Sequence, residues 1–103
     1  MNNKPLVRNA SDEEQVKDAR IKVQLGRDQE INDLKFILAA EQGRRFLWRT
    51  LEICGVYRSS FTGSSETYFL EGQRNIGLKL LAEITDIDPD SYLKMIKENK
   101  GVQ

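Results

Sequence analysis

The side chains with the most chemistry to offer crowd the middle of the chain. Arg44, Arg45, Arg49, Arg58 and Arg74 are interleaved with Trp48, Tyr57 and Phe61. The stretch from Gly43 to Phe69 holds the only tryptophan, the only cysteine and six of the eight aromatic residues. Guanidinium groups beside aromatic rings can bind single-stranded nucleic acid through phosphate contact and base stacking. The same mixture dominates protein–protein hot spots, because Arg, Trp and Tyr join large contact area to directional polar groups. Charge balance favours the second use. Sixteen basic and sixteen acidic side chains cancel, so no net field steers the molecule onto a polyanion. These residues are the expected partner-binding set.

Catalysis is disfavoured by what the chain lacks. It contains no histidine, which removes the commonest general base, the usual partner of a Ser or Cys nucleophile and the commonest transition-metal ligand. Gly72 to Lys79, GQRNIGLK, has the outline of a phosphate-binding loop, but Leu78 stands where the lysine belongs and no strand precedes it. Glu52, Glu66 and Glu71 come nearest to the acid pairs that cleave sugars. Each has an ordinary place on a helix surface or in a first turn, and Glu52 lies three residues from Arg49. The single Cys54 sits in an apolar helix and reads as a small buried hydrophobe. The expectation is a protein that is not an enzyme and uses no cofactor or metal.

The elements that must position these groups are helical. Residues 1 to 10 are polar with an early proline and read as an N-terminal arm. Ser11-Asp-Glu-Glu14 is a capping box, in which the Ser11 hydroxyl accepts the Glu14 amide, Glu14 reaches back, and the acids favour the positive helix end. Val16, Ala19 and Val23 make a thin apolar stripe that Leu34, Ile37 and Leu38 continue if the helix runs straight. Gly26 and the polar run to Glu30 interrupt it, leaving open a helix over about 12–25 or one continuing to 39. A stripe this weak suits either a solvated, salt-bridged helix or a face that packs on another chain.

After a break at Ala39 to Gly43, a second helix is expected over 43–54, ended by Gly55 as a left-handed cap. On it Phe46, Leu47, Thr50, Leu51, Ile53 and Cys54 share one face, and Arg45, Arg49 and Glu52 share the other. Arg44 and Trp48 stand at the border four residues apart, so the guanidinium can lie over the indole. The loop from Gly55 to Ser65 carries Tyr57 and Phe61, which either plug the end of the helix pair or face a partner.

Ser64 or Ser65 then caps a third helix over 65–85. Its wide apolar arc, with Phe69, Gly72, Ile76 and Leu80 in one row and Leu70, Gly77, Leu81 and Ile84 in another, predicts a central helix touching two neighbours. Gly72 and Gly77 would each let a neighbouring helix come close. Asp88-Pro89-Asp90 starts the last helix over 89–98, burying Tyr92 or Leu93 and Ile96 and ending at Asn99-Lys100-Gly101. No segment alternates with a period of two, so no sheet is expected. The fold class is all-α, a small bundle of four or five helices in a single domain from residue 11 to 103, behind the arm. No run approaches the length of a membrane span and the N-terminus lacks a signal peptide's apolar core. A soluble protein made in the cytoplasm is expected.

Several features in this order have a counterpart: the Gly43-Arg-Arg-Phe-Leu-Trp-Arg49 run, Cys54-Gly55, Phe61-Thr-Gly63 with Glu66 following, Glu71-Gly72, Arg74-Asn75, and Asp88-Pro89 ahead of Tyr92. With them, the chain from Leu34 to Glu98 resembles a family of small proteins from short-tailed bacteriophages (podoviruses) first named from a Bordetella phage. The resemblance implies a virion structural or morphogenesis protein, encoded among portal and assembly genes. Its expected place is the virion, near the portal or among internal, ejected proteins. Its expected partners are other virion proteins, with a homo-oligomer where particle symmetry multiplies a modest interface. A module binding phage DNA through the arginine patch and a regulator binding a host protein are the competing readings.

Overall fold

Helices end where the backbone finds another way to satisfy its last carbonyls, and this chain marks those places with few residues. A computed structural model describes residues 10–100. They form α1 (Ala10–Leu38), α2 (Glu41–Cys54), α3 (Glu66–Ile87) and α4 (Pro89–Lys100), with no strand among them. The expected arm lies outside the described residues except for Ala10, which is already helical, and so does Gly101. The capping box is displaced with it. Ser11 and Glu14 sit inside α1, so the Ser11 hydroxyl is not at the helix cap.

The chain divides after Asn32 into two compact units, and the boundary falls inside α1. The described residues of the first unit, 10–32, are helical throughout, and Gly26 does not interrupt them. Pairs one turn apart support this run: the Gln24 amide donates to Asp28 at 2.8 Å and Arg27 meets Glu30 at 3.4 Å. Nothing lies within 4 Å of where a Gly26 side chain would begin, so this glycine weakens the helix without serving a close approach.

The second unit, from Asp33 on, is a bundle in which α2, α3 and α4 each pack on the other two. Leu34 and Leu38, from the last turns of α1, join Leu47, Leu51, Val56, Ile84 and Met95 in one core. The expected central role of α3 is thus shared among three helices. At the α1–α2 corner Gly43 stands against the backbone of Ile37, and a β-carbon there would collide with the Ile37 carbonyl. Gly77 plays the same part between α3 and the end of α2, where a β-carbon would come within 2.5 Å of Val56 and 2.6 Å of Cys54. Gly72, expected to do likewise, is exposed with nothing near it.

Gly55 closes α2 as predicted. Its φ of 79° is left-handed, its N–H donates to the Glu52 carbonyl at 3.0 Å, and the Val56 N–H donates to Leu51 at 3.2 Å. Val56 and Leu51 are both buried in the core, the apolar contact that accompanies such a cap. Gly63, in the loop that follows, also takes a positive φ, of 80°. At the next junction Asp88 accepts the Ser91 N–H at 3.2 Å and the Ser91 hydroxyl at 2.7 Å, with Pro89 at the first position of α4. Those bonds hold the Asp88 carboxyl below the usual carboxylate range, against the opposing effect of burial. The buried positions of α4 are Ser91 and Met95, whereas Tyr92 and Ile96 are half-buried and Leu93 is 55% exposed.

Candidate partner-binding surface

The two ends of α2 organise the residues singled out from the sequence. At the first end the helix turns Arg44 inward. Its Nε and Nη2 donate to the two Glu98 oxygens at 2.9 and 2.7 Å, and its Nη1 donates to the Leu38 carbonyl at 2.9 Å. This is a bidentate clamp that joins α2 to the end of α4 and satisfies an orphan carbonyl at the end of α1. The bond to Arg44 holds the Glu98 carboxyl below its ordinary value, outweighing the opposing effect of burial. Arg44 therefore neither stacks on Trp48 nor faces a partner, as the sequence reading had it. It is a structural residue.

The burial of Arg44 reveals how α2 is rotated. Its buried positions are Arg44, Leu47 and Leu51, with Trp48 and Cys54 half-buried beside them. Phe46 and Ile53, expected in the core, are 56% and 66% exposed. They flank Arg49 at three and four residues, so Phe46, Arg49 and Ile53 form one outward stripe, with the Arg49 guanidinium 5.4 Å from the Phe46 ring centre. The buried row of α2 carries an arginine as well, Arg44, so neither row stood out in the sequence. The remaining site residue of α2, Arg45, is exposed.

At the far end of α2, Trp48 stacks on Tyr57 from the loop, with ring centres 5.1 Å apart and planes 25° apart. The Tyr57 and Tyr92 hydroxyls bond at 2.6 Å. Tyr57 is pushed above the ordinary tyrosine range by removal from water and then by that bond, although the residue as a whole is half-exposed. Arg58 donates to the Glu52 carbonyl at 3.0 Å, holding the loop against the last turn of the helix. Arg49, Glu52, Ile53, Tyr57 and Arg58 together line an open groove of about 440 Å³. A second open cavity, of about 430 Å³, shares Tyr57 and Arg58 and adds Val56, Ser59, Ser60 and Arg74.

Phe61 projects from the loop with 78% of its surface exposed, so it does not plug the bundle. The loop behind it is tied down by Thr62, whose N–H donates to the Thr67 hydroxyl at 2.9 Å. Ser65 occupies the α3 cap position without a side-chain bond, while the Ser64 hydroxyl accepts the Glu66 N–H at 3.3 Å. On α3 Ile84 lies in the core, with Leu80 and Leu81 packed against it and Gly77 buried, whereas Phe69 and Ile76 are 67% and 66% exposed. Glu71 accepts the Ser60 hydroxyl instead of pairing with another acid for chemistry. The described residues contain no group of three or more metal-ligating side chains, and no described helix is long and apolar enough to cross a membrane.

No curated protein and no solved structure matches the chain. Residues 34–97 match the family described as Bbp19-like phage protein. That span begins at the first core leucine, Leu34, and takes in the Arg44 corner, the Trp48–Tyr57 stack and the Asp88 cap. The chain belongs to the Bbp19-like phage protein family.

Proposed function

We propose that this phage protein is a structural or assembly component of a short-tailed phage particle, set near the portal or among the internal, ejected proteins. It works by packing against other virion proteins and carries out no reaction. One observation supports this above the rest. Phe46, Ile53, Phe61, Phe69 and Ile76 are each more than half exposed on a small helical unit that has its own closed core. Aromatic and aliphatic groups left in water beside Arg45, Arg49 and Arg58 have the composition of an interface core with a polar rim. Covering them on assembly would supply the hydrophobic driving force that their exposure withholds from folding.

The rival reading, DNA binding through an arginine patch, is weakened because Glu98 neutralises Arg44 inside the bundle. Mass spectrometry of purified particles tests the proposal: the chain should be present at a fixed copy number. Its absence from otherwise complete particles would sink the idea. So would a mobility shift with single-stranded DNA at moderate salt, because the reading predicts none.

A further inference from the structure

Arg74 sits in the cavity formed by the loop after α2 and the side of α3, and its buried Nε has no hydrogen-bond partner. A buried guanidinium nitrogen without an acceptor costs on the order of 1–3 kcal/mol or more, so its persistence calls for a reason. Arg58 lines the same cavity and spends one nitrogen on the Glu52 carbonyl. The guanidinium has further donors to offer. Ser59 also lines it; its oxygen accepts the Phe61 N–H at 3.2 Å, so its own proton remains to be donated. Ser60 is occupied by Glu71. Among the described residues no carboxylate pairs with Arg74.

We propose that Arg74, Arg58 and the Ser59 hydroxyl form an oxyanion pocket that receives one carboxylate side chain of a partner protein. The cavity of about 430 Å³ has room for an Asp or Glu side chain. Two guanidinium groups and a hydroxyl match the planar, four-lone-pair acceptor set of a single carboxylate. A nucleic acid needs phosphate contacts strung along a backbone, because its affinity accumulates with the number of charges neutralised. This pocket offers a single concentrated point instead. Phe61 and Tyr57, exposed on the same loop, would supply the apolar surround that keeps such a pair out of water.

The pocket deepens the virion reading, since its ligand is a protein group, but its test stands apart from particle composition. The test is an NMR titration of the full chain with a blocked Gly-Glu-Gly tripeptide, following the Arg74 Nε–H and the Ser59 amide. Saturable shifts are expected, absent with the Gly-Gln-Gly counterpart. Arg74→Gln and, separately, the surface variant Arg58→Gln should each weaken binding by about tenfold or more, the loss of one charge-assisted contact. Equal shifts with the Gln peptide, or none with either, would overturn the proposal. So would saturable binding of oligothymidylate at the same signals. Glu-peptide binding by a chain absent from particles would refute the virion reading alone, and a chain present in particles without such binding would refute the pocket alone.

Discussion

The two ends of α2 place arginines in opposite conditions. At the Glu41 end each of the three guanidinium nitrogens of Arg44 donates a hydrogen bond, two to Glu98 and one to the Leu38 carbonyl. At the Cys54 end Arg58 is exposed and the Nε of Arg74 is buried with nothing to bond. The same residue type thus closes the fold at one end and leaves an unmet demand at the other. Evolution tolerates unmet demands where a partner meets them, because a site built to bind is seldom optimal for stability. The difference separates an arginine whose bonds tie helices together from one whose buried Nε the fold leaves unmatched, which composition alone could not do.

The contrast can be broken most sharply at its satisfied end. Replacing Arg44 by alanine should destabilise the protein by about 2–3 kcal/mol in urea unfolding, since it strands Glu98 and the Leu38 carbonyl. The figure falls short of a fully buried pair because the Glu98 side chain keeps 27% of its exposure. Gly55→Ala, at the other end, should cost about 1–2 kcal/mol by forcing a β-carbon into left-handed backbone. That loss should appear without weakening the Arg44 clamp, so the Glu98 titration seen by NMR should stay where it is.

Acidification gives a milder probe of the clamp. The Glu98 carboxyl lies below its ordinary value of 4.5 when folded. Its contribution to stability is therefore complete above that value and is lost as the pH falls through the folded one. Melting temperature should drop on acidification in the native protein, and the drop should be shallower in Glu98→Gln. Asp88, also lowered, adds a slope of the same sign to both proteins. The smallest effect is expected from Arg74→Met. Removing an unpartnered guanidinium should leave the melting temperature unchanged or slightly raised. A loss comparable to that of Arg44→Ala would erase the distinction between the two ends.

Much of the fold was legible from short stretches of sequence. Cys54-Gly55 and Asp88-Pro89 announced two helix boundaries correctly, since each cap is built from residues within one turn of one another. Periodicity placed the four helices, and Gly77 was correctly read as a point of close approach. The rotation of α2 was not legible. Phe46 and Ile53 are as apolar as Leu47 and Leu51, and hydrophobicity within the helix cannot say which pair meets α3 and α4. Nor could it reveal that Arg44 takes a core position, because its partner lies 54 residues along the chain. Of the expected binding residues, the structure gathers Arg49, Tyr57 and Arg58 around one groove and Arg58 with Arg74 around the other, while withdrawing Arg44.

By itself, the sequence determined that this protein is helical, where its second helix ends and its fourth begins, and which phage family it resembles. Those properties rest on hydrogen bonds and dihedral preferences spanning a few residues, and on rare residues recurring in order. Only the tertiary structure decided which face of each helix is buried, which glycine is crowded and which arginine is spent. Those outcomes depend on contacts between segments far apart in the chain, where a guanidinium finds a carboxylate only once the helices have packed.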